Sequence, residues 1–168
     1  FRLAWAYHGL ASLLYLRESV TLSDGRALGK RALYVEALRY DWTYSASYHD
    51  LAFTLSAGET VTLSDGRTVG ARELYVEALR DDPSLSSAYH HVAASLSPGE
   101  SVMLSDGRTL NQRELYLEVL RYDANNWSAM RSLSSSMSAS EKVTLPDGRT
   151  MDATQLKAEA NRIIAARK

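Results

Sequence analysis

Cysteine is absent from this sequence, which excludes disulfides, thiolate metal ligands and cysteine nucleophiles at the outset. Net charge is nearly absent as well. Nineteen Lys and Arg (19) stand against 20 Asp and Glu, giving a formal charge of −1, so no whole-chain field draws the protein to phosphate or to an anionic membrane. Nucleic acid and membrane are therefore not expected as partners. No apolar run approaches the roughly 20 residues that cross a bilayer. The opening Phe1-Arg2-Leu3-Ala4-Trp5 lacks the basic-then-apolar layout of a signal peptide. A cytoplasmic location is expected, and a start at Phe1 without methionine points to a processed or excised chain.

What the 168 residues do contain is 45% apolar content, enough for a continuous core, and a strict internal repeat. Ser23-Asp24-Gly25-Arg26 returns as Ser64-Asp65-Gly66-Arg67, Ser105-Asp106-Gly107-Arg108 and Pro146-Asp147-Gly148-Arg149, a constant step of 41 residues (64 − 23). The same step carries Leu33-Tyr34-Val35-Glu36-Ala37-Leu38 onto the runs that start at Leu74 and Leu115, and Tyr7-His8 onto Tyr48-His49 and Tyr89-His90. One domain of four repeats follows, at about 1–41, 42–82, 83–123 and 124–168.

Each repeat reads as helix A, hairpin, helix B. In the second, Tyr48, Leu51, Ala52 and Leu55 fall at i, i+3, i+4 and i+7. This spacing predicts one apolar stripe on a helix from about Ser45 to Ser56, with Gly58 as its stop. Val61-Thr62-Leu63 and Arg67-Thr68-Val69 flank Asp65-Gly66, a strong hairpin signal because glycine supplies the positive φ of the turn. Helix B then starts at a capping box, Asn111 with Glu114 or Asp152 with Gln155, and its stripe is Leu74, Tyr75, Ala78 and Leu79. Asp82-Pro83 closes the unit.

These residues resemble the tetratricopeptide repeat. Tyr48-x2-Leu51-Ala52-x2-Leu55 is similar to the first half of its pattern, and Ala71-x3-Tyr75 followed by Pro83 is similar to the second. The likeness covers nearly the whole chain. It departs in period, about 34 residues in the family, and the excess sits where the hairpin lies. Lys30 and Gln112 replace the helix B alanine, and Trp42 and Ala124 replace the proline.

The resemblance implies a mainly α fold, a right-handed superhelical solenoid of helix pairs with a β-hairpin in each repeat. Helix A would line a concave groove that holds a peptide or protein segment. By register the groove positions include Trp5, His8, Tyr15, His49, Phe53, His90 and Arg131, together with small residues such as Ser135. A protein-interaction scaffold or adaptor is the expected function. The alternative is a structural spacer or self-assembling segment of a longer repetitive protein.

Catalysis and cofactors are not expected. No Gly-x-Ser-x-Gly elbow accompanies the serines and histidines. Asp24, Asp65, Asp106 and Asp147 lack the clustered partners of a calcium loop and read as turn residues. His8, His49 and His90 form a ladder, but stacked helices hold equivalent residues about 8–10 Å apart, too far to converge on one zinc. Asn126-Trp127-Ser128 matches a glycosylation sequon at an expected helix start and reads as coincidence, and the serines from Ser132 to Ser140 fall in register with the fourth helix A. Arg39, Arg80 and Arg121 close helix B with Glu36, Glu77 and Glu118 three residues earlier, a salt-linked surface. The hairpin arginines Arg26, Arg67, Arg108 and Arg149 are the alternative, a basic stripe able to meet phosphate, which the absence of net positive charge disfavours.

Three further expectations concern the ends and the hairpins. Helix one is apolar on more than one side through Leu10, Leu13, Leu14 and Leu16, which predicts further upstream repeats or self-association at that end. Lys157 replaces the tyrosine of the earlier helices B, as in a C-terminal cap. The hairpins keep one apolar face (Val61, Leu63 and Val69 in the second), which predicts packing on the helices and permits edge-to-edge pairing into a continuous sheet.

Overall fold

The computed structural model describes residues 2–138 and 140–167, and the chain divides into two compact units, Phe1–Pro83 and Ser84–Lys168. Each unit carries two of the repeats. The first is built of α1 (Arg2–Leu13), β1 (Ser19–Thr21), β2 (Ala27–Gly29), α2 (Lys30–Tyr40), α3 (Ser45–Phe53), β3 (Thr60–Thr62), β4 (Thr68–Gly70) and α4 (Ala71–Asp81). The second repeats the order as α5 (Ser86–Ser95), β5 (Ser101–Met103), β6 (Thr109–Asn111), α6 (Gln112–Tyr122), α7 (Trp127–Ser136), β7 (Lys142–Thr144), β8 (Thr150–Asp152) and α8 (Ala153–Ala165). Among the described residues, no helix is long and apolar enough to cross a membrane.

Within each unit successive helices pack on one another, α1 on α2, α2 on α3 and α3 on α4, then α5 on α6, α6 on α7 and α7 on α8. The periodic positions make the core. Tyr48, Leu51 and Ala52 from α3 meet Leu74, Tyr75, Ala78 and Leu79 from α4, all buried. Lys157 is exposed on α8, at the position where Tyr34, Tyr75 and Tyr116 are buried. The apolar excess of the first helix stays uncovered: Leu3, Trp5 and Leu13 are exposed, as are Tyr15 and Leu16 just beyond it.

Helix B begins where the sequence places it. The side chain of Asn111 accepts from the Glu114 N–H at 3.1 Å while Glu114 accepts from the Asn111 N–H at 2.8 Å, and Asp152 and Gln155 make the same reciprocal pair. Helix A is shorter than its pattern. The helix beginning at Ser45 stops at Phe53, with Leu55 outside it, because the chain folds into a second turn. The Glu59 N–H donates to the Ser56 carbonyl at 3.0 Å, the Ser56 N–H donates back to the Glu59 carboxylate at 2.7 Å, and Gly58 takes φ +80° between them. Glu18, Glu100 and Glu141 close the same turn on Tyr15, Ser97 and Ser138. This 41-residue echo of glutamate is invisible to a search for apolar periodicity.

The hairpins have the predicted alternation. Val61 faces Val69 and Thr62 faces Thr68 across the ladder. Leu63 and Val69 are buried while the two threonine hydroxyls meet outside at 3.1 Å. The turn is closed by the Gly66 N–H on the Leu63 carbonyl and the Leu63 N–H on the Arg67 carbonyl, with Gly66 at φ +87°. That is a type I turn with a glycine bulge. The permitted continuous sheet does not form, for the strands make four separate two-stranded sheets. Each hairpin is instead held against its own helix B.

The holding device is an Asp-Arg-Glu-Arg chain present in all four repeats. In the first, Arg26 donates through its backbone N–H and Nε to Asp24 (3.0 and 2.8 Å) and through Nη1 to Glu36 (2.9 Å), which also accepts from Arg39 at 2.9 Å. Arg67, Arg108 and Arg149 repeat these contacts on Asp65 and Glu77, Asp106 and Glu118, and Asp147 and Glu159. The basic stripe is therefore neutralised in place. The Arg N–H, then its side chain, holds each of Asp24, Asp65 and Asp106 below the usual carboxylate range.

Candidate functional site

The open concavities of both units lie at the same place in the repeat, between the first turn of a helix B and the following helix A. In the first unit, Lys30 and Tyr34 from α2 face Asp50 and Phe53 from α3 across a crevice of about 240 Å³, and a second hollow of about 440 Å³ that also touches Lys30 is lined by Leu16, Gly29, Arg31 and Glu59. In the second, Gln112 and Tyr116 from α6 face Arg131, Ser132 and Ser135 from α7 across one of about 820 Å³. The two sets are two repeat lengths apart in sequence, so position can be compared with position. Tyr34 and Tyr116 are alike. Phe53, however, becomes Ser135, Asp50 becomes Ser132, His49 becomes Arg131 and Lys30 becomes Gln112. Loss of Asp50 with gain of Arg131 reverses the charge contributed by helix A.

The crevice floor is secured by side chains that bind the frayed end of helix A. Lys30 donates from Nζ to the Leu14 carbonyl at 2.9 Å, and Gln112 donates from Nε2 to the Ala93 and Leu96 carbonyls at 3.0 and 3.3 Å. These residues stand where the second repeat has Ala71, and they satisfy carbonyls left open by helix termination. Next to them Arg31 reaches into the following repeat, donating to the Thr54 hydroxyl (3.2 Å), the Thr54 carbonyl and Glu59 (2.6 Å). Arg113 does the same to Glu141 and to the Ser136 carbonyl. The Ser56 N–H and then Arg31 hold Glu59 well below its ordinary pKa, and Arg113 with the Ser138 N–H does so for Glu141.

The expected groove residues fall into three groups. Phe53 and Arg131 stand at the crevices, Phe53 with 72% of its surface exposed and Arg131 also exposed. The histidines are packed rather than presented. His8 lies between the rings of Tyr34 and Tyr44 (5.4 and 5.0 Å), with Nδ1 3.1 Å from the Ser47 hydroxyl and Nε2 3.6 Å from Asp50. His49 bonds Asp50 through Nδ1 at 3.0 Å and sits edge-on to Tyr75, so Asp50 serves both histidines. His90 packs on Tyr116, 3.5 Å from the Ser128 hydroxyl, with Nδ1 buried and unpartnered. Burial pushes His8 and His90 below the ordinary imidazole value, opposed at His8 by Asp50. Trp5 and Tyr15 are exposed, and Tyr15 lies beyond the end of α1 rather than on it.

Sequence reasoning missed the helix B half of the crevices. Tyr34 and Tyr116 look like core residues at their period, and their ring bodies are indeed buried. The signal that was available is the break in the small-residue position at Lys30 and Gln112. Among the described residues, no cluster of three or more His, Asp or Glu side chains is placed to hold a metal ion. No protein-family model matches the chain, and no curated protein matches it.

Proposed function

We propose that this chain is a non-catalytic scaffold of the tetratricopeptide kind, a right-handed superhelical solenoid whose helix A faces hold an extended polypeptide segment. One observation carries the reading: the framework repeats while the crevices vary. Every repeat keeps its Asp-Arg-Glu-Arg chain, whereas the crevice positions change from Asp50 and Phe53 to Ser132 and Ser135. A frame under one constraint and a lining under another is what a binding surface built on repeats requires. Exposed Phe53 supplies an aromatic anchor of the type that dominates peptide interfaces.

The uniform hairpin clamp also favours a second reading, a structural spacer for which only the frame matters. Selection of peptides from a random display library against the intact chain separates the two. The scaffold reading expects peptides that compete for one surface and lose about tenfold in affinity when Phe53→Ala is combined with His49→Ala. Selected peptides whose affinity survives both changes remove the groove assignment. A library that yields no binder leaves the spacer.

A further inference from the structure

We infer that the four hairpin turns are latent sites of spontaneous isoaspartate formation, and that the arginine of each turn keeps its aspartate out of the reaction. Asp-Gly is the pair most open to this chemistry, because glycine has no side chain to shield its backbone nitrogen. The chain has this pair at Asp24-Gly25, Asp65-Gly66, Asp106-Gly107 and Asp147-Gly148, always in a hairpin turn, and no asparagine precedes a glycine. The turn cannot dispense with either partner. Each glycine holds φ between +85° and +87°, where an L side chain is strained, and each aspartate anchors the arginine that ties the hairpin to helix B. The reaction needs only water. The glycine nitrogen attacks Cγ of the aspartate, its proton and the carboxyl OH leave as water, and a succinimide ring forms. Water then opens the ring at the α-carbonyl and frees that group as a carboxylate, so the chain continues through Cγ with one more methylene in the backbone and no change of mass.

Burial does not shelter these aspartates, whose side chains are 39–50% exposed. The bonds of the turn do. Each glycine N–H already donates to the leucine carbonyl that opens the turn, at 3.0 Å in the first three repeats and 2.9 Å in the fourth. The arginine N–H donates to Oδ1 at 2.9–3.0 Å, and its Nε donates to Oδ2 at 2.6–2.8 Å. Both oxygens are thereby committed to the residue after the glycine, whereas ring closure needs the carboxyl carbon at the glycine nitrogen itself. The same bonds favour the ionised carboxyl and hold it below its usual range. An ionised carboxyl has no OH to lose as water. Glu36, Glu77, Glu118 and Glu159 aim the arginines from helix B. An isoaspartate lengthens the turn and takes the carboxylate off this chain, so the clamp protects the joint it makes.

The test ages the intact chain at neutral pH and physiological temperature, with the same chain in urea as the unprotected reference. After proteolysis, isoaspartate in each Asp-Gly peptide is separated by chromatographic retention, since its mass is unchanged, and confirmed by isoaspartyl-specific enzymatic methylation. The folded parent forms it about tenfold or more slowly than the unfolded chain at all four turns. Arg67→Ala raises the rate at Asp65 about tenfold, the gain in released carboxylate expected when a charge-assisted hydrogen bond is lost. Asp24, Asp106 and Asp147 in the same molecule keep the parent rate and so report that the chain is still folded. Arg67→Lys keeps the charge but not the fork of donors, and it also accelerates Asp65. A rate at Asp65 that Arg67→Ala leaves unchanged overturns the role of the arginine, as do folded and unfolded parents that react equally fast. Equal acceleration at all four turns in Arg67→Ala overturns it too, because general loosening of the chain would then account for the reaction.

Discussion

Arg108 and Arg121 converge on a single oxygen of Glu118, Oε1, at 3.0 and 3.5 Å, while the other oxygen, Oε2, is buried with no partner. In the first repeat the two arginines divide the carboxylate instead, Arg26 on Oε1 and Arg39 on Oε2 of Glu36. Glu118 is only 7% exposed, so its charge depends on both neighbours. Glu118→Ala is expected to lower the stability of the chain by about 1.5–3 kcal/mol, the range for loss of charged hydrogen bonds. Urea unfolding measures it, and a double-mutant cycle with Arg108→Ala should recover a coupling of about 0.5–1 kcal/mol. Additive single effects would show that the hairpin is not tied to helix B through this pair.

The hairpin turn makes a separate demand on its glycine. Gly107 holds φ +85°, and a methyl group built there meets nothing within 4 Å. Space is available, so the cost of Gly107→Ala is conformational, about 1–2 kcal/mol for an L-residue in the left-handed region. A melting temperature unchanged by Gly107→Ala would mean that the turn relaxes to another type.

The parts of this fold that repeat were legible because the apolar stripes, the Asp-Gly turn and the capping pairs each use local chemistry that a single stretch of sequence states in full. Leu51 and Leu74 announce a buried stripe, and Asn111 with Glu114 announces a helix start. The early end of helix A was not legible, since it is decided by the bond of Glu59 to the Ser56 N–H and by Arg31, a residue 28 positions away. The separation of the hairpins had the same cause: Arg67 chooses Glu77 of its own repeat, and spacing alone could not reveal that choice. At the crevices, Phe53 and Arg131 were readable as helix A positions in register. Tyr116 and Gln112 were not, because a tyrosine can bury its ring and still border a cavity.

Acidification should act in two stages. His8 and His90 have folded-state pKa values below the ordinary 6.5, mainly through burial. The unfolded chain therefore binds protons first, and stability is lost as the pH falls through that ordinary value and levels off once the folded value is passed. The carboxylates shift in the same direction, at lower pH. Glu159, paired by Arg162 and Arg149, is pushed down to about 2, so its contribution is present above its ordinary 4.5 and is lost as the pH falls towards 2. The expected result is a melting temperature that declines modestly as the pH falls through about 6.5 and steeply below about pH 4. His90→Gln should flatten the first stage and leave the second. A first stage of the same slope in His90→Gln would locate the upper titration elsewhere.

Arg31 sets the last expectation, because it is the side chain by which one repeat grips the next. Its guanidinium meets the hydroxyl and carbonyl of Thr54 and the carboxylate of Glu59, all in the second repeat, from the first turn of α2. Arg113 reaches Ser136 and Glu141 in the same way. Stacked repeats are stable through the sum of their own folding and their interfaces, so a lost interface contact separates neighbours before it unfolds either. Arg31→Ala leaves the Thr54 carbonyl and Glu59 without this donor, at a cost of about 1–2 kcal/mol. The loss should appear as faster amide exchange in α1 and α2 than in α3 and α4 and as a broader urea transition. Arg113→Ala should do the same for α7 and α8. Uniform loss of protection through the first unit of Arg31→Ala, with a transition as sharp as the parent's, would show that the repeats fold as one block and that the arginine contributes to the whole rather than to the joint.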